Sequence, residues 1–268
     1  MGPMVSDKPA IPEKLMTFYR FIPNARKPIR ADASAGGTIP TRSFRYCEPI
    51  RTASSFGWYF FPPMDFGLLW DGTDVLWSHA GQPEWKPLSR QHYPNFAKHF
   101  DEKAPADCKG YAIPFLGAMP EPGIVNIWSG WVGRSAPGWN TLIRPVANLP
   151  QPGGWENYEG VVETDRWFGP LFVNIRLRRT GVPILVKREL PLFQAQPLPR
   201  WLFSDKLFNA FDVVGSLDEL TEKDWQDYRE TVVIPQSKVN RKLGEYAKRT
   251  RKRGKSDGES GTGPAEEA

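Results

Sequence analysis

The segment 170–178, PLFVNIRLR, limits what this chain can fold into more than any other. Leu171, Val173, Ile175 and Leu177 alternate with Phe172, Asn174, Arg176 and Arg178. Successive side chains of a strand point to opposite sides, so a period of two predicts a strand with one buried face. The surrounding stretch, 160–199, repeats the theme. Gly160-Val161-Val162 leads in, Thr180-Gly181 ends the alternation, 182–186 is a second β-rich run, and 192–198 is a third, with Pro197 and Pro199 at its end. Short strands divided by Gly and Pro point to an antiparallel sandwich or barrel.

The same punctuation runs through the whole chain. Its 27 Pro and 24 Gly among 268 residues favour short strands and ordered loops over long helices. The 11 Trp and 16 Phe give those loops apolar cargo of their own, since each buried indole removes roughly 200 Å² from water. Strands are expected at 15–22 and in the aromatic run 56–61. A hairpin is expected over 68–77, turning at Asp71-Gly72, a favoured type I′ pair. Residues 44–47 read as a short segment of their own. Six further strands, 124–132, 139–144, 160–163, 171–178, 182–187 and 192–196, are expected to pair as one sheet system, because consecutive strands with short links usually do. Short helices are expected within 91–100, 203–211 and 222–231, the last opened by a capping box of Thr221 and Asp224, with a basic helix over 238–253. The expected fold is therefore mainly β, with a jelly-roll or distorted β-barrel core over 15–203. A flexible leader (1–14), a small helical C-terminal appendage (204–253) and a disordered tail (254–268) complete the reading.

Charge separates body from tail. Residues 236–268 hold nine Lys/Arg against five Asp/Glu, +4 of the formal +5; the other 235 residues hold 26 against 25. The basic balance thus argues for no nucleic-acid-binding fold, only for weak contact of 238–255 with nucleic acid or another acidic surface. Cys47 and Cys108 form no metal or redox motif and are expected to be free thiols. No apolar run is long enough to span a bilayer and no signal peptide is recognised, so a soluble, cytoplasmic protein without a membrane partner is expected. Aromatics left exposed by the fold would favour a homo-oligomer, but composition does not show exposure. All three histidines, His79, His92 and His99, lie upstream of residue 100. His99-Phe100-Asp101 matches half of an iron-binding facial triad, but no histidine follows to complete it, and no metal site is assigned.

The candidate site is the cluster ahead of the alternating strand. Glu163, Asp165, Arg166 and Trp167 fall within five positions, closed by Gly169-Pro170. Two carboxylates, a guanidinium and an indole beside strand ends suit a small-molecule pocket, with Arg134 and Arg144 supplied by neighbouring strands. In an enzyme, Glu163 and Asp165 are the catalytic carboxylates, with Glu163 the base, Arg134 or Arg166 the anion clamp and Trp167 the stacking surface. The plainer reading is a solvated turn with a local ion pair. The sequence specifies neither cofactor nor ligand. A non-catalytic interaction protein with a basic tail is the reading from a different class.

Two resemblances bear on this. The segments ADASAGGTIPTRSFRYCEP (31–49), FGWYFFPPMDFGLLWDG (56–72), PGWNTLIRP (137–145), YEGVVETDRWFGPLFVNIRL (158–177) and QPLPR (196–200) resemble a bacterial family classed as a domain of unknown function. This implies a shared fold over most of 15–200 and no activity. GVVETDRWFGPLFVNI also looks like the strand motif of the dUTPase and dCTP-deaminase family, with PLFQAQP (191–197) as the following strand and Gly133-Arg134-Ser135 as the phosphate-contacting segment. That resemblance implies a nucleotide hydrolase using Glu163, with Glu standing where the family has Asp.

Overall fold

The computed structural model describes residues 12–79, 82–150 and 153–237, together with Gly244. In chain order the strands begin with β1 (Met16–Arg20), β2 (Ile29–Arg30), β3 (Trp58–Phe60), β4 (Phe66–Trp70) and β5 (Val75–His79). Next come β6 (Lys86–Pro87), β7 (Arg90–Gln91), β8 (Leu116–Ala118), β9 (Ile124–Ser135) and β10 (Trp139–Arg144). The last are β11 (Trp155–Asn157), β12 (Gly160–Val162), β13 (Gly169–Leu177), β14 (Ile184–Val186) and β15 (Phe193–Pro199). They make three antiparallel sheets. The first has the order β11-β13-β9-β8-β7, with β1 also paired to β9; the second is β12-β10-β15-β3-β2; the third is β14-β4-β5-β6. The chain is mainly β, and none of the sheets closes on itself, so the expected barrel is not formed. The six strands expected as one system are divided among all three sheets.

The alternation read from 171–178 sets which face of β13 is buried. Leu171, Val173, Ile175 and Leu177 are each at most 2% exposed, while Phe172, Asn174 and Arg176 look outward. The inner residues meet Val125 and Ile127 of β9, Phe60 and Phe193 of the second sheet, and Phe66, Leu68, Ile184 and Val186 of the third in one apolar core. Phe60 and Phe193 are directly paired across β3 and β15, and their rings stack at 4.9 Å. Within the aromatic run, Trp58–Phe60 forms the strand and Tyr59, Phe60 and Phe61 are buried, whereas Phe56 is exposed.

Strand β9 bends where it changes partner. Its register against β13 shifts between Pro170 and Phe172, beside Gly130 at φ +84°. A side chain there would meet Ile22 Cβ at 2.9 Å and Ala25 Cβ at 3.1 Å, so the bulge requires glycine. Past the bend, β9 pairs with β1 from Trp131 to Ser135.

The helices are short. Residues 41–55, not expected to be helical, form α1 (Thr41–Tyr46) and α2 (Glu48–Ser55), with Pro49 in the first turn of α2, where a missing N–H is tolerated. Helix α3 (Phe96–Lys103) lies near the expected position. The hairpin of β4 and β5 also forms, but its loop has four residues: the Asp71 carboxylate accepts from the backbone N–H groups of Thr73 and Asp74. After β15 come α4 (Asp205–Phe208), α5 (Glu222–Tyr228) and α6 (Ile234–Ser237), the small helical C-terminal region. Thr221 and Asp224 form the reciprocal capping box at the start of α5. The basic helix, the disordered tail and most of the leader fall outside the described residues.

Candidate functional site

The turn after β12 is fastened from below. Thr164 is 1% exposed, and its hydroxyl shares hydrogen bonds of 2.7 Å with Ser135 and 2.8 Å with Thr141. The backbone N–H groups of Arg166 and Trp167 both donate to the Glu163 carbonyl. These bonds turn the chain so that residues 163 and 165–167 rise around a buried threonine.

The two carboxylates then have different surroundings. The Asp165 side chain is 6% exposed; it accepts from the Gly138 N–H at 2.9 Å and is ion-paired with Arg200. Glu163 is 55% exposed and meets Arg200 at 2.7 Å and Arg166 at 3.9 Å. Arg200 follows β15 directly, and its own N–H donates to the Gly138 carbonyl. Arg200 therefore holds the 163–167 turn through its guanidinium and the β9–β10 turn through its backbone N–H. No signal in the sequence singled out Arg200, because Arg166 offered a closer partner along the chain. The other expected residues have partners elsewhere. Arg134 lies over the Phe168 ring at 4.5 Å, and Arg144 pairs with Glu159 at 3.5 Å. No hydrogen bond or ion pair joins Arg134 or Arg144 to Glu163, Asp165 or Arg166 among the described residues.

A groove of about 560 Å³ does lie beside this turn, between β12 and the outer face of β13. Of the six expected site residues, Glu163 and Trp167 line it. The others that matter were not foreseen: Asn126, Tyr158, Glu159, Phe172 and Asn174. Asn126 and Asn174 are directly opposed on β9 and β13, and the Asn126 amide donates to Asn174 Oδ1 at 2.7 Å. Each amide carries more hydrogen-bonding capacity than this one contact uses. Asn126 Oδ1 and Asn174 Nδ2 have no protein partner among the described residues. Phe172 stands next to the pair, half-buried, with the exposed Trp167 at the rim. The alternation had already put Phe172 and Asn174 on the outer face; Asn126 joins them only through the pairing register.

The chemistry of this groove is amide, aromatic and carboxylate. Among the described residues its lining includes no Lys or Arg. It can present flat apolar faces and several directed hydrogen bonds to a ligand.

The perturbed ionisations lie elsewhere. Burial opposes the charge on Asp32, but the Ser34 hydroxyl and the N–H groups of Gly36 and Ser34 outweigh it and hold the carboxyl below its ordinary value. Burial, with the nearby Asp32 charge, pushes the Tyr59 phenol up to about 12. Both belong to the ordering of the 31–38 loop, in which Ala35, Gly36 and Gly37 all have positive φ. Among the described residues no group of three or more His, Cys, Asp or Glu could hold a metal ion. Asp101, half of the iron motif, accepts from the Gly110 N–H. Cys47 and Cys108 are both free. The basic segment 238–255 lies outside the described residues, apart from Gly244.

No protein-family model matches this chain, and no curated protein matches it.

Proposed function

We propose that the protein binds a neutral, polyhydroxylated ring ligand, a saccharide, in the groove between β12 and β13, without catalysing its conversion. The observation that carries this is the Asn126–Asn174 pair on the groove floor, flanked by Phe172 and Trp167. Paired amides offer a donor and an acceptor side by side to vicinal hydroxyls, and an aromatic face suits the C–H face of a ring. On the fold, the jelly-roll reading draws support from antiparallel sheets that share one core.

The nucleotide-hydrolase reading rests on Glu163 as base. Its Oε1 is held by Arg200 at 2.7 Å and Arg166 stands 3.9 Å from Oε2, so the carboxylate is already engaged in ion pairs within the protein. A triphosphate in this groove would also meet no Lys or Arg among the described lining residues. The saccharide reading therefore comes first. Thermal shift against neutral saccharides and nucleotides tests it. A saccharide at a hundredfold excess over Kd adds about 2.7 kcal/mol of stability. A shift with nucleotides alone, lost in Glu163→Gln, would reverse the order.

A second reading is favoured by a separate observation, the apolar segment after β15. Trp201, Phe203, Leu207, Phe208, Phe211 and Leu217 are 44–71% exposed. Clustered exposed apolar side chains mark interaction surfaces, and the segment supports self-association. Size-exclusion chromatography with light scattering tests this: the wild type is expected to be oligomeric and Leu207→Asp/Phe208→Asp monomeric. A monomeric wild type would refute it.

A further inference from the structure

We infer that the groove accepts a chain of linked saccharide rings lying across the strands, and that Gly117 holds its floor open for that chain; this rests on the saccharide reading above.

The groove does not stop at Asn126. A second depression of about 720 Å³ shares Asn126 and Phe172 with the first and continues over Gly117 and Met119 to Arg90. The register explains the continuity. Asn174 opposes Asn126, Asn126 opposes Gly117, and Gly117 opposes Arg90. These four residues form one row across four adjacent strands, spanning roughly 14 Å at the usual strand separation. A single ring occupies only the Asn126–Asn174 end of such a row. A linked chain laid perpendicular to the strands reaches all of it.

Gly117 is the informative member. Its φ is not in the left-handed region, so the backbone does not require glycine, and an added Cβ would meet only the Ser89 carbonyl oxygen, at an ordinary 3.6 Å. Glycine inside a strand weakens it and often marks the close approach of something else. Among the described residues only the Ser89 carbonyl oxygen lies within 4 Å of that position, at an ordinary contact distance. The two depressions meet at Asn126 and Phe172, and the missing side chain leaves the floor of the second one open beyond that junction.

The chemistry along the row selects the class of chain. Its polar groups are side-chain amides with one guanidinium at the far end, and Glu159 and Glu163 at the near end are already ion-paired with arginines, so the row offers directed hydrogen bonds rather than free charge. An extended peptide that joins a sheet does so along a free strand edge. Here the central strands β9 and β8 are paired on both sides, which leaves side chains as the recognising groups.

The test uses the full chain on an array of neutral glucose-, mannose- and xylose-based oligosaccharides graded in length, followed by calorimetry on the saccharides retained. Affinity is expected to rise about tenfold or more from the single ring to the longer chains. Gly117→Leu should remove that gain while keeping the melting temperature and single-ring affinity of the wild type. Arg90→Ala, an exposed position, should weaken only the longest chains. Single-ring binding without length dependence would overturn the chain inference and leave the saccharide reading standing. An undiminished gain in Gly117→Leu would overturn the role given to Gly117. Failure to bind saccharides of any length would overturn both readings, as would an extended peptide that displaces the sugar and binds tighter.

Discussion

Replacing Asp165 with alanine should destabilise the protein without touching the groove. Asp165 is 6% exposed, and its partner Arg200 is 20% exposed. Removing one member of a largely buried ion pair costs about 3–5 kcal/mol, mostly because the other charge is left uncompensated. Arg200 keeps Glu163 at 2.7 Å, which softens the loss, while the Gly138 N–H loses its acceptor, which adds to it. The net expectation is about 3 kcal/mol. Glu163→Ala removes a carboxylate that is 55% exposed and should cost at most about 1 kcal/mol. Asp165→Asn keeps an acceptor for Gly138 and loses only the charge, so it should fall between. Urea denaturation with a common slope measures all three. The reasoning is refuted if Asp165→Ala stays within about 0.5 kcal/mol of wild type. Loss of ligand binding at full stability would instead return Asp165 to the site.

Other expectations follow from the buried polar groups. Gln194 is fully buried, donates to the carbonyls of Ser54 and Phe56, and accepts from the Ala147 N–H. Gln194→Leu strands all three backbone groups and should cost about 3 kcal/mol in the same denaturation series. The depressed Asp32 carboxyl contributes stability that is complete at neutral pH and is lost as pH falls through its folded-state value. Asp32→Asn should therefore lower stability at neutral pH and flatten the acid limb of a stability–pH profile. The raised Tyr59 phenol has the opposite sign: its contribution is full below the ordinary value of 10 and lost as pH rises through about 12. Tyr59→Phe should flatten the alkaline limb over that window.

The parts of the fold legible in the sequence were those set by near neighbours. The alternation of β13, the β4–β5 hairpin and the Thr221–Asp224 cap each depend on residues a few positions apart, and each formed. The partition into three sheets depends on distant pairings, such as Phe60 with Phe193 and Leu68 with Ile184, which no local pattern encodes. The candidate site divides the same way. The cluster at 163–167 was visible as a dense turn, but Arg200 reaches it only through the fold and converts Asp165 into a strut. Asn126 and Asn174 lie 48 positions apart, and only the β9–β13 register brings their amides together.

The saccharide proposal stands on these two amides receiving the ligand. Side-chain NH₂ resonances of Asn126 and Asn174, followed by heteronuclear NMR during titration with a neutral saccharide retained by the array, test it most directly. Both amide pairs and the Trp167 indole N–H are expected to move with one saturable dependence, and Asn126→Ala/Asn174→Ala is expected to abolish binding while the fold persists. Saturable binding that leaves these resonances in place, or that survives the double substitution, would contradict it.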